Sequence, residues 1–336
     1  MTPSEMLYPH APDVAQRETL DDGFSAGWGF HMHPSVRYWI DSHTHLRETD
    51  APGVLATVAT WHGPLWASRL RRHVAVDGTI GQAAAFAAAS AADDRFLWYC
   101  RLPWDSPDLA HLETCKSRGA LGLKLHNATL MSGDFPLSAI DTPEWHRVYA
   151  AAGRLGMPVL WHVTQRRSAA PYTGGGPDAY WQAGWKRGVT FTNRDLLERF
   201  LKIVAAHRGT RFIGAHQLHI GPERLGELFL EHPNLYTDTS IGCFVAEDDV
   251  MYEADIRRWR EFVLAFQDRI LFGSDVVLNR ENAGSELVRK HFLGHVRWVR
   301  QLRLPQEALS KIAYENFERL TGLLPAPLFP WGALRP

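Results

Sequence analysis

Short apolar runs recur along this chain, and most are followed by a stretch in which apolar positions return every three or four residues. The runs are RYWID (37–41, continuing into SHTHL), FLWYCRL (96–102), LGLKLH (121–126), PVLWHVT (158–164), RFIGAHQ (211–217), NLYTDTS (234–240) and RILFGSD (269–275). Each is short and apolar, as a strand buried on both faces should be. Helices are predicted over 107–118, 143–155, 193–208, 221–231, 253–267, 285–302 and 305–322, most of them bounded by proline or glycine. Such alternation builds βα units around a parallel sheet. Seven strands are clear, and the missing second one falls within 52–80, where VLATVATW and HVAVDG compete.

The expected fold is therefore α/β, a (β/α)8 TIM barrel over residues 36–323, with an irregular arm at 1–35 packed on it and a tail at 324–336. A single domain suits the 336 residues, because barrels often run to 250 residues or more with insertions. The net charge of -1 supplies no global field toward nucleic acid or an anionic membrane, so a small-molecule substrate is the expected partner. A homodimer is compatible with the sequence. The first residues lack the basic start and apolar run of an export signal, which points to the cytoplasm. GQAAAFAAASAA falls short of the roughly 20 residues that a membrane span needs and reads as a buried helix. Cys100, Cys115 and Cys243 form no close pair, so they read as buried thiols with neither a disulfide framework nor a zinc-ribbon spacing.

The chemistry sits at the ends of the predicted strands. In DSHTHL, His43 and His45 are two apart, so both imidazoles face one side of a strand. A lone pair of this kind is weak evidence, but His162 ends PVLWH, His216 ends RFIGAH and Asp275 ends ILFGSD. In a barrel those ends meet at one mouth. Their nitrogen and carboxylate donors suit a divalent metal such as zinc, iron or manganese. The long loops 127–142, 165–192 and 241–252 all follow strands and lie on the same face.

The set IDSHTHL, GLKLH, VLWH, GAHQLHIGPERL, LYTDTS, ILFGSD and ENFERLTGL resembles the amidohydrolase superfamily, in particular its amidohydrolase-2 branch with aminocarboxymuconate-semialdehyde decarboxylase relatives. The likeness spans roughly residues 37–322. It implies that His43, His45 and His162 bind metal and that Asp275 is a ligand, a general base, or both. His216 would ligate a second metal in a binuclear site or hold the nucleophilic water in a mononuclear one. Lys124 matches the lysine that binuclear members carbamylate to bridge two ions; uncarbamylated, it would pair with a substrate carboxylate or with Asp275. One or two ions are thus open, with the filled ligand set leaning toward two.

Other residues are read as supports. His216 is preferred to His219 because it directly ends its apolar strand, while His126, Asp41 and Asp238 are placed behind the ligands, orienting them. Asp238 otherwise caps the next segment with Ser240. Arg166 and Arg167 follow the His162 strand, where they hold a substrate carboxylate or remain solvated. Trp61, Trp104, Trp181 and Trp185, with Trp66, Trp161, Tyr172 and Tyr180, wall an apolar pocket or pack loops together. TGGGPDAYW lacks the ending of a phosphate loop and reads as a lid.

A water whose pKa is about 15.7 in bulk falls to about 7 on a metal, and a carboxylate beside it can move its proton. The first reading is hydrolysis of an ester, lactone, thioester or amide of a bulky apolar carboxylic compound. The alternative is non-oxidative decarboxylation of an aromatic or unsaturated acid. A catalytically silent ligand-binding barrel comes third, because the metal set is intact.

Overall fold

The computed structural model describes residues 38–46, 70–78, 83–92, 96–164, 188–240, 253–279 and 301–325, together with 281, 295 and 299. The arm at 1–35, Trp61, Trp66, the loop carrying Arg166, Arg167, Tyr172, Tyr180, Trp181 and Trp185, the loop 241–252 with Cys243, most of the helix at 285–302, and the tail from 326 onward lie outside them.

In chain order the elements are β1 (Trp39–Leu46), β2 (Leu70–Gly78), α1 (Ala83–Ala92), β3 (Phe96–Arg101), α2 (Leu109–Ser117), β4 (Gly122–His126), α3 (Ala128–Met131), α4 (Pro143–Arg154) and β5 (Val159–His162). There follow α5 (Asn193–Ala206), β6 (Phe212–Gly214), α6 (Pro222–Glu231), β7 (Leu235–Asp238), α7 (Glu253–Ala265), β8 (Ile270–Leu271) and β9 (Val276–Leu278). The chain then forms α8 (Gln306–Ser310), a π-helical turn (Lys311–Glu315) and α9 (Asn316–Thr321). The second strand is the run containing HVAVDG rather than VLATVATW.

Every pair of neighbouring strands is parallel, in the order β8-β7-β6-β5-β4-β3-β2-β1-β9. The two outermost strands are one passage of chain. Ile270 and Leu271 pair with β7, Val276–Leu278 pair with β1, and between them Ser42 N donates to Phe272 O while Asp275 N donates to His43 O. The sheet thereby closes into the eight-stranded barrel expected for this architecture. The predicted eighth strand at 269–275 is corrected to a broken one, because Asp275 takes a left-handed φ of 58° and re-aims the chain.

Large side chains fill the strands' surroundings, with Trp39, Trp98, Trp145, Trp161 and Trp259 fully buried. Helix ends follow their sequence signals. Thr142 and Thr192 cap α4 and α5 through their side chains, and Thr192 with Asp195 completes a capping box. The alanine-rich run forms the helix α1, buried on the face of Ala83, Phe86 and Ala89 and exposed on the other, so it covers the barrel with one side.

The last helix fixes the eighth strand. Its π turn frees the Ile312 carbonyl to accept from Phe272 N at 2.9 Å, and Asn316 Nδ2 donates to Ile270 O at 2.8 Å. The ENFERLTGL motif thus anchors the backbone that delivers Asp275. Cys100 on β3 and Cys115 on α2 are the buried free thiols that the sequence suggests, and although far apart in sequence they face one another. No helix among the described residues is long and apolar enough to cross a membrane.

Candidate metal centre

His43 and His45 share one face of β1, and the chain break after β8 turns Asp275 toward them. His43 Nε2 lies 3.2 Å and His45 Nε2 2.9 Å from Asp275 Oδ1, and the three donor atoms fall within 4.8 Å of one another. Donors bound at about 2.0–2.2 Å to one ion stand about 3 Å apart, so the cluster has the spacing that a divalent cation requires. Its donors are imidazole and carboxylate with no sulfur, as zinc, iron and manganese accept. The side chain of His43 is 0% exposed, whereas His45 and Asp275 are 12% and 24% exposed, so solvent and substrate reach the cluster from their side.

Protonation favours ligation. Burial lowers the pKa of His43, assisted by the Lys124 charge, and lowers that of His216 to about 4. Both imidazoles are therefore neutral at neutral pH, the form that binds metal. Burial works to raise Asp275, but His216, His43 and His45 outweigh it and hold the carboxyl well below its usual range.

Behind the cluster, Asp238 at the end of β7 accepts from His43 Nδ1 at 2.7 Å, which leaves the Nε2 lone pair facing Asp275. The other Asp238 oxygen accepts from Ser240 Oγ at 2.6 Å and from His216 N at 3.0 Å, so the aspartate both orients a histidine and caps the next segment. Asp41 serves differently from the expectation. It accepts from Ser274 N at 2.9 Å, from the Ser274 hydroxyl and from His43 N at 3.2 Å, tying the backbones of the two ligand segments rather than an imidazole. Burial pushes Asp41 up to about 6 against those hydrogen bonds.

A second group adjoins the first. His162 Nδ1 and His216 Nε2 lie 3.0 Å apart, and the His43 and His216 rings are 5.2 Å apart. Lys124, 1% exposed, places Nζ 2.9 Å from His43 Nε2. His126 stacks near His162 at 4.2 Å and accepts from Ala128 N, a support to the neighbouring ring.

His216 does not end a strand, as the sequence suggests. β6 stops at Gly214, and His216, Gln217, Leu218 and His219 all take φ between 52° and 58°. Each left-handed non-glycine residue costs about 1–2 kcal/mol, so the turn needs bracing. Gln217 Nε2 donates to the carbonyls of Asp238 and Ser240, and Thr164 Oγ1 donates to Leu218 O at 2.6 Å. Leu218 folds back so closely that a Cβ on Gly214 would stand 2.5 Å from it. The turn stacks His219 on His216 with centroids 5.1 Å apart, so both histidines reach the site. At Gly273, a Cβ would stand 2.9 Å from that of His43, which is why glycine precedes Ser274 and Asp275.

Trp104 is corrected from a pocket wall to a packing residue. It is 5% exposed, donates from Nε1 to His126 O at 3.0 Å, and lies against Trp145 and Trp161. Trp161 in turn donates to Asn127 Oδ1 at 2.9 Å, so this aromatic cluster pins the ends of β4 and β5. Sequence reasoning names Ser240 only as a cap beside Asp238 and does not single out Ser274, Gln217 and Thr164 as bracing residues; the FGSD context is the available signal for Ser274. A recess lined by Tyr38, Tyr314 and Glu318 opens by the start of β1, away from the histidines, and has none of their chemistry.

The amidohydrolase family model matches residues 30–323. No curated protein matches the chain. Among solved structures, a probable 2-pyrone-4,6-dicarboxylic acid hydrolase from Acinetobacter baumannii is 13% identical with a TM-score of 0.53, covering 84% of this chain and 99% of its own. An amidohydrolase from Burkholderia multivorans with bound zinc is 16% identical with a TM-score of 0.52, covering 85% and 100%. A 5-carboxyvanillate decarboxylase from Sphingomonas paucimobilis is 11% identical with a TM-score of 0.51, covering 86% and 100%. At such identities these three speak for the barrel fold. With its family model matched over nearly the whole barrel and its histidines and aspartate gathered at the strand ends, the chain belongs to the amidohydrolase family.

Proposed function

We propose that this protein is a metal-dependent hydrolase that cleaves an ester, lactone, thioester or amide of a bulky, largely apolar carboxylic compound. The observation carrying this reading is the trio His43, His45 and Asp275 converging on one point, with His43 held neutral and the Asp275 carboxyl held ionised. A divalent ion held there supplies Lewis acidity toward a carbonyl and acidifies water. His43, oriented by Asp238, and His45 hold that position. Asp275, on the exposed side, accepts the proton of the attacking water and returns it to the leaving group. His162 and His216 offer a second donor pair, which Lys124 joins to the first when carbamylated. The pyrone-dicarboxylic acid hydrolase among the structural neighbours supports the lactone class, since a pyrone is a cyclic unsaturated ester.

A second reading has its own observation. Lys124 as a buried ammonium beside His43 would hold a substrate carboxylate, and a decarboxylase is among the structural neighbours. Metal-loaded enzyme offered lactones, aryl esters, thioesters and aromatic acids separates the two. The expected result is cleavage of a lactone or ester, lost on chelation and restored by zinc or manganese. Carbon dioxide release without acyl cleavage would replace hydrolysis by decarboxylation, and neither reaction from fully loaded protein would count against both.

A further inference from the structure

Where α2 covers β3, it lays two residues one helical turn apart against the strand. Cys115 Sγ and His111 Nε2 are 3.3 Å apart, and Cys100 joins them so that one donor atom from each lies within 4.8 Å of the others. Residues at i and i+4 share a helix face, which is why His111 and Cys115 converge on one strand position. We propose that Cys100, His111 and Cys115 form a second metal site, separate from the catalytic cluster, for a soft divalent cation such as zinc.

Zinc bound at about 2.3 Å to sulfur and about 2.0–2.1 Å to nitrogen sets donors roughly 3.5–3.8 Å apart; the Cys115–His111 pair at 3.3 Å is slightly tighter, and Cys100 completes the set within 4.8 Å. The donor set is soft, in contrast to the nitrogen and oxygen donors at the barrel mouth, so the two sites would select ions differently. Both thiols are 1% exposed while His111 is partly exposed, which gives an ion a way in beside the imidazole and a dry place to stay. Asp108 accepts from His111 N at 3.1 Å as the helix cap, fixing the first turn that carries the imidazole. The three protein donors leave the fourth position of a tetrahedral ion to water. Binding is balanced by release of the two thiol protons to solvent as two metal–sulfur bonds form, with no oxidant involved. A disulfide between the same sulfurs would leave the imidazole aimed at them without a role. An ion here would clamp α2 to β3, the strand beside the one that carries Lys124.

Cobalt titration of the chelator-stripped full chain tests the site, because only thiolate donors give a sulfur-to-cobalt charge-transfer band. The expected result is a near-ultraviolet band saturating at one equivalent, about two protons released per ion bound at that site, and bleaching by added zinc. Cys115→Ser should abolish the band and His111→Ala should weaken cobalt binding at least about tenfold, by loss of one of three ligands. If Cys115→Ser does not fold, the partly exposed His111→Ala variant decides alone. Absence of the band in wild-type protein with cobalt bound elsewhere would overturn the proposal, as would a Cys100–Cys115 disulfide in protein purified anaerobically with zinc.

Discussion

Asp275→Asn is expected to lower turnover by about 10²–10⁴-fold, the usual contribution of a positioned general base, while the barrel stays folded. Asparagine is the informative replacement. Position 275 sits at φ 58°, a region that asparagine enters more readily than other non-glycine residues, so the backbone bond from residue 275 to His43 O survives. What is lost is the anionic oxygen 2.9 Å from His45 Nε2 and 3.2 Å from His43 Nε2, and with it both a metal donor and the proton acceptor. Asp275→Ala would confuse this by adding strain. Turnover with metal content measured on the same sample checks the prediction, and an Asp275→Asn enzyme of full metal content and unchanged rate would remove Asp275 from the chemistry.

Asp238→Ala should act through structure and metal affinity together. The carboxylate is buried and satisfies His43 Nδ1, the Ser240 hydroxyl and His216 N. Leaving buried donors without an acceptor costs roughly 1–3 kcal/mol each, so a loss of about 3–5 kcal/mol is expected. Freed from Asp238, the His43 ring can turn or change tautomer, and loss of such a partner typically lowers metal affinity about 10–100-fold. Burial works to raise Asp238, but His43, His216 and Ser240 hold it below the ordinary carboxylate range. Its stabilisation is therefore complete above the unfolded value of about 3.9 and declines as pH falls below that toward the depressed native value. Urea unfolding of metal-free protein at pH 7 and pH 3 measures this; equal losses from the substitution at both would argue that the charge is irrelevant.

Much of this is legible in the sequence because strand-end position carries meaning in a barrel. HTH and FGSD each close an apolar run, and the structure delivers His43, His45 and Asp275 to one place, with His162 from VLWH beside His216 in the adjoining group. The backbone that performs the delivery is not legible. Nothing in GAHQLH announces four consecutive left-handed residues, which depend on Gln217 and Thr164 finding carbonyls distant in sequence. The break before Val276 likewise depends on Ser274 meeting Asp41 across the barrel. Trp104 is misread from sequence because composition cannot tell an aromatic facing a pocket from one packed behind a strand. Cys100 and Cys115 escape a sequence reading because their separation matches no local zinc motif, and only the packing of α2 on β3 unites them.

Anomalous diffraction at the zinc, iron and manganese edges from crystals of the metal-loaded protein addresses the central claim most directly. A peak within about 2.0–2.2 Å of His43 Nε2, His45 Nε2 and an Asp275 oxygen is the predicted result. Density showing those three side chains turned apart, with every bound ion elsewhere, would contradict it.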